Sequence, residues 1–113
     1  MSYRLTEIAL ADLRQIYSYS ADRWNVDRAR TYIQSLYGKL ESLAVKPDRD
    51  LSRNRRSHPF QMIPAGAHFI VYETVEDIVV IHTILHQSQD IERYIAKLTP
   101  EFRKAIAEIN RRR

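Results

Sequence analysis

The chain has 113 residues, 44% of them apolar, and a formal net charge of +4, which suits one domain with one compact core but not two. It contains no cysteine, which excludes disulfides, thiolate zinc sites and cysteine nucleophiles. No run approaches the roughly 18 uncharged apolar residues of a membrane span, and the start MSYRLTEIAL lacks a signal-peptide pattern, so a cytoplasmic protein is expected.

Tyr3 to Thr6 alternates polar and apolar residues and predicts a short edge or companion strand, with Thr6 as the N-cap of the helix after it. Over Glu7 to Trp24 the larger apolar residues Leu10, Leu13, Tyr17, Ala21 and Trp24 are spaced by three and four, as on one face of a helix. Trp24 reads as a core anchor at its end. Asn25 or Asp27 caps a second helix in which Ala29, Ile33, Leu36, Leu40 and Leu43 form the stripe, and Pro47 ends it. So tight a connection predicts an antiparallel helical hairpin. Gly38, inside the second helix, costs roughly 1 kcal/mol relative to Ala, and a close helix approach is expected to favour it. Asp48 to Pro59 is polar, arginine-rich and bounded by prolines, and reads as a loop.

Phe60 to Ile63 predicts a strand, Pro64-Ala65-Gly66 a turn, and Ala67 to Thr74 a longer strand rich in aromatic and β-branched residues. Glu76-Asp77 marks a turn before the strand Ile78 to His86. Such short connections make consecutive strands antiparallel, giving a three-stranded meander. Asp90 to Lys97 reads as a short helix, and Thr99-Pro100-Glu101 as the start of another ending near Asn110. Phe102, Ile106 and Ile109 lie on one face of that last helix. The fold class is therefore α+β, with a domain over 1–97 and a helical extension over 98–113.

Strict alternation puts Ile78, Val80, His82, Ile84 and His86 on one face of the last strand and Val79, Ile81, Thr83 and Leu85 on the other. Both faces are largely apolar, so both need cover. The hairpin can cover one. The C-terminal helices or another chain must cover the second, and an exposed apolar face favours the partner.

The four histidines His58, His68, His82 and His86 raise a metal reading. His82 and His86, however, are four apart on a strand, roughly 14 Å between Cα atoms, too far for one ion. No metal and no cofactor are expected. His86 stands just before a segment carrying Glu92, Arg93 and Tyr94, an ionisable cluster that suits either acid-base work or simple structural pairing. Tyr17, Tyr19, Tyr32, Tyr37 and Tyr72 beside clustered arginine allow base stacking, but helical tyrosines more often pack at a core edge.

The aromatic strand HFIVY from His68, the strand end Ile84-Leu85-His86 and Asp90-Ile91-x-Arg93 resemble the ParE branch of the ParE/RelE toxins. Ala11-Asp12-Leu13-x-x-Ile16-x-x-Tyr19, Trp24 and Pro47-x-x-Asp50-Leu51 extend the resemblance over about Tyr3 to Ile95. It implies the same strand, hairpin and meander, and a toxin of a type II toxin-antitoxin system of the plasmid-stabilization kind. Such a toxin inhibits DNA gyrase, arrests growth, and is neutralised by a ParD-like antitoxin that binds DNA through its N-terminal region and wraps the toxin with an acidic C-terminal tail.

The resemblance implies antitoxin contacts, assigned to Tyr17, Trp24, Tyr32, His68, Ile70, Tyr72, Val80, His82, Ile84 and Arg93. Target contacts are assigned to Arg53, Arg55, Arg56, His86 and Arg93. RelE relatives instead cut mRNA in the ribosome with cations displayed on the sheet, whereas Phe60 to His86 contains no lysine or arginine. A non-enzymatic gyrase poison is therefore expected, with His86, Tyr94 and Arg55 as the catalytic set of the RelE-like alternative. The chain departs from the pattern at Gln61, Met62, Ala67 and Gln89, where ParE-like chains often carry basic residues, and in its longer C-terminus. An antitoxin-binding relative without toxicity is the third reading.

Overall fold

A computed structural model describes residues 2–45 and 60–111. Its elements are β1 (Ser2–Leu5), α1 (Glu7–Arg23), α2 (Val26–Val45), β2 (Gln61–Ala65), β3 (His68–Val75), β4 (Ile78–His86) and α3 (Ile91–Arg111). Pro47 and the arginine-rich segment with Arg53, Arg55, Arg56 and His58 lie outside the described residues.

Thr6 caps α1 as anticipated, its hydroxyl accepting from the Ala9 amide at 3.2 Å. Asn25 caps α2 by accepting from the Arg28 amide at 2.8 Å. The sheet has the order β1-β4-β3-β2. The meander is antiparallel, while β1 joins β4 in parallel, an arrangement possible because the whole hairpin and two strands supply the crossover. Pro64 is a residue of β2, not of a turn, and its missing amide is tolerated because β2 is an edge strand.

The buried face of α1 differs from the stripe of large residues. Ala9, Leu13 and Ser20 are buried, whereas Leu10 and Trp24 are exposed. Small side chains at Ala9 and Ser20 let the helix lie close to its neighbours, so the true stripe runs 9-13-16-20. Trp24 is not a core anchor: half its surface is exposed, and the Arg28 guanidinium lies 4.9 Å from its ring centroid. On α2 the expected stripe holds, with Ala29, Leu36, Leu40 and Leu43 buried. Gly38 makes no close approach, because a Cβ there would meet nothing within 4 Å.

A β-bulge shifts the alternation of β4. Val71 pairs with Thr83 but Tyr72 pairs with Ile81, so His82 is an extra residue on β4. As a result Val79, Ile81 and Ile84 pack with the hairpin, together with Ile70 and Tyr72. His82 and Leu85 turn to the other face, where His82 stacks on Phe102 at 4.5 Å. The backbone freed at the bulge is satisfied from α1 and its cap. Thr6 Oγ1 donates to the His82 carbonyl at 2.9 Å, and the Ile84 amide donates to Asp12 Oδ2 at 3.0 Å.

The second face is covered by the chain itself. Ile95 and Phe102 of α3 pack with Phe60, Met62, Val71 and Leu85, so the partner favoured from the sequence is not needed to bury these strands. α3 is also one continuous helix through Pro100, not two. Proline leaves the Ala96 carbonyl without its usual donor, while Thr99 Oγ1 donates to the Ile95 carbonyl at 2.8 Å in the same turn. The boundary drawn at Lys97 therefore falls inside a helix. His82 Nε2 contacts Glu73 Oε1 at 2.9 Å, while Nδ1, fully buried, has no partner.

Candidate functional site

Where α1, the start of α2, the β2–β3 turn and the end of β4 converge, they enclose a half-open cleft of about 590 Å³. Its floor is Ile16, Ile84 and Leu85, and its aromatic walls are Tyr19, Trp24, Tyr32 and Tyr94. Asp12, Arg28, His68, His86 and Gln89 bring the polar and charged groups. This mixture of apolar wall and a few converging polar groups is that of a binding site.

Asp12 sits on the buried side of α1. Its Oδ2 accepts from Thr83 Oγ1 and from the Ile84 amide, so a helix carboxylate fastens the bulge. Burial pushes its carboxyl above the ordinary value, and those two hydrogen bonds partly oppose the shift. Burial likewise pushes the Tyr94 phenol up, reinforced by the charge of Asp12.

On the opposite wall, His68 and His86 are cross-strand partners on β3 and β4, with rings edge to face at 5.1 Å between centroids. Tyr32 fixes the first ring. Its hydroxyl accepts from the Ala67 amide at 3.0 Å and hydrogen-bonds His68 Nδ1 at 2.6 Å. Gly66 makes room for this contact: its φ is +59°, and a Cβ would stand 2.7 Å from the Tyr32 oxygen. The turn is held from the other strand by Gln87, whose amide donates to the Ala67 carbonyl at 3.0 Å. Burial lowers the His68 pKa, and His86 lowers it further.

His86 Nδ1 accepts from the Ser88 amide at 3.1 Å. A nitrogen that accepts from an amide carries no proton, so neutral His86 is protonated at Nε2. The Tyr32 hydroxyl occupies His68 Nδ1, which leaves Nε2 as the second polar atom of that ring. His86 thus presents an Nε2–H donor, and His68 presents one in its imidazolium form, which suits an anion or carbonyl and not a metal. No cluster of three or more metal-ligating side chains exists among the described residues.

The structure gathers Trp24, Tyr32, His68, Ile84, His86 and Tyr94 at the cleft. It does not bring Tyr17 or Arg93 there: Tyr17 is half-buried on α1, and Arg93 is exposed on α3. Ile70, Tyr72, Val80 and His82, expected as antitoxin contacts, are fully buried beneath the chain's own helices and present no surface in this structure. Ile84, 4% exposed, offers the cleft only its edge. Tyr72 is likewise no stacking platform. Arg53, Arg55 and Arg56 lie outside the described residues. Reasoning from sequence missed Asp12 as a site residue, and Arg28. The available signal for Asp12 was an acid at i+3 from Ala9 and i−4 from Ile16, on the small-residue stripe of α1.

Comparison with known proteins then places the chain. A family model described as the ParE toxin of the type II toxin-antitoxin system parDE matches residues 3–91, and the chain belongs to this family. It is similar to Toxin ParE1 of Caulobacter vibrioides, 29% identical over 93 residues, covering 82% of this chain and 96% of that toxin. Toxin ParE1 of Mycobacterium tuberculosis is also 29% identical over 92 residues, covering 80% of this chain and 94% of the relative. Among solved structures, a chain of the chromosomal ParDE TA system from P. aeruginosa superposes with a TM-score of 0.66 at 16% identity. That match covers 76% of this chain and 95% of the other, and supports the fold. No helix among the described residues is long and apolar enough to cross a membrane.

Proposed function

We propose that this ParE-family toxin inhibits DNA gyrase by binding alone, in the cytoplasm, and is held inactive by a ParD-like antitoxin. The observation that carries the binding mechanism is the absence of any lysine or arginine from Phe60 to His86, the span of the meander. Cleaving RNA requires stabilising a pentacovalent phosphate dianion, and preorganised positive charge is usually the largest part of that stabilisation. A meander whose only basic side chains are imidazoles lacks this resource near neutral pH. The family is the toxin half of a toxin-antitoxin pair, and the similar P. aeruginosa chain belongs to a ParDE system, which together support a protein partner. DNA is reached through that partner.

Purified toxin added to gyrase is expected to suppress supercoiling and accumulate cleavage complexes, and the cognate antitoxin to reverse both. Untouched supercoiling together with arrested translation would overturn this reading. The convergence of His86, Tyr94 and Asp12 in one cleft favours a second reading, ribosome-dependent mRNA cleavage with Arg55 as a further participant. Under that reading, substitution of His86, Tyr94 and Arg55 abolishes mRNA cutting, and cutting retained in the triple variant dismisses it. Harmless expression without antitoxin would instead identify a relative that binds its partner but is not toxic.

A further inference from the structure

The cleft carries two groups that its described hydrogen bonds leave unused, Nε2 of His68 and Nε2–H of His86. Each ring is already oriented from its other nitrogen, His68 by Tyr32 and His86 by Ser88, so neither needs to reorganise to meet a ligand. The rings stand 5.1 Å apart between centroids on adjacent strands, a spacing that one carboxylate can span with its two oxygens. Beside them, Tyr19 and Trp24 are large exposed apolar surfaces, 62% and 50% accessible. Arg28, lying over Trp24, adds fixed positive charge at the rim.

We propose that this cleft reads an acidic side chain of the antitoxin, gripped by the Nε2–H donors of His68 and His86 while Tyr19 and Trp24 take an apolar neighbour, and that the grip takes up a proton. The proposal rests on the reading that an antitoxin holds this chain, and names how it does so. Charge complementarity selects the occupant. The donors and Arg28 on one wall favour an anion, and the aromatic surface favours a peptide over a small inorganic ion.

Proton uptake is a consequence of the groups around His68. Tyr32 from α2 and His86 from β4 touch it, and Arg28 from α2, Asp12 and Tyr19 from α1 and Tyr94 from α3 line the same cleft. In the free toxin, burial and His86 lower the His68 pKa. An arriving carboxylate within hydrogen-bonding distance opposes both effects and favours the imidazolium. The complex then binds more protons than its parts, so association is strongest at low pH and weakens as pH rises through the raised value of the complex.

The test is calorimetric titration of the toxin with its full-length ParD-like antitoxin, in two buffers of different ionisation enthalpy, from pH 6 to 7.5. Uptake of about half to one proton is expected, with affinity falling about threefold to tenfold per pH unit. His86→Ala is expected to weaken binding roughly tenfold to hundredfold, the size of a charged hydrogen bond. His68→Gln, which keeps a donor without titrating, is expected to flatten the pH dependence. Circular dichroism of each variant separates these effects from misfolding. Binding with no proton uptake and no loss in folded His86→Ala overturns the carboxylate grip while leaving the antitoxin reading intact. Absence of any binding by the wild-type toxin overturns both.

Discussion

The hairpin side of the sheet is closed by two helices whose stripes interlock with Ile63, Ile70, Tyr72, Val79, Ile81 and Ile84, whereas the other side is closed by α3, reaching it chiefly through Ile95 and Phe102. The hairpin side also carries polar stitching. Asp12 and Thr6 reach across from α1 and its cap to the bulge. On the α3 side the corresponding polar group, His82 Nδ1, is buried without a partner, an arrangement that costs stability. The hairpin face is thus the more extensively stitched of the two, and the cleft opens mainly beside it, with Tyr94 of α3 on its wall. Binding geometry is best held where supporting side chains are already locked.

The contrast can be broken most severely at Leu36, 1% exposed in the hairpin core. Leu36→Ala is expected to cost about 2–5 kcal/mol, with urea unfolding still a single transition at a lower midpoint. Phe102→Ala tests the other face. Its cost should fall below the roughly 3–5 kcal/mol typical of a buried phenylalanine, because α3 can open without unfolding the hairpin. Hydrogen exchange should then show fast amides over α3 and unchanged protection over α1 and α2. Equal loss of protection everywhere would erase the distinction between the two faces.

Three smaller effects sharpen it. Gly66→Ala forces a left-handed alanine, worth about 1–2 kcal/mol, and drives its Cβ against Tyr32; NMR should show the His68 ring released from the Tyr32 hydroxyl. Asp12→Asn probes the stitching through pH. A carboxyl whose pKa is raised in the folded state binds a proton more tightly there than in the unfolded chain. Its ionisation therefore lowers stability as pH rises through the carboxylate range. Urea midpoints should show wild type gaining on Asp12→Asn as pH falls from neutral into that range. Gly38→Ala, at an exposed helix position with open space, should stabilise by about 0.5–1 kcal/mol in the same assay.

The α2 stripe, both N-caps and the order of elements were legible because each depends on neighbours within a turn or a strand. The buried face of α1 was not, since Ala9 and Ser20 carry little hydrophobic signal while exposed Leu10 and Trp24 carry much. The bulge at His82 was hidden for another reason. It is set by register against β3, and one inserted residue exchanges the faces of everything beyond it. That is why Ile84 faces the hairpin with Ile81, three residues away, and why Leu85 joins α3. The cleft was half legible: His86 and Tyr94 stood close in sequence, but Asp12 meets Thr83 from 71 residues away, and no local pattern marks such a contact.

The most direct test of docking at the cleft is hydrogen exchange of the toxin with and without its antitoxin. New protection is expected around Asp12 to Tyr32, the Gly66–His68 turn and Ile84 to Gln89, with α3 as protected in the complex as in the free toxin. Accelerated exchange over Ile91–Arg111, with the cleft segments unchanged, would mean that the antitoxin takes the place of α3 on the sheet, and would contradict docking at the cleft.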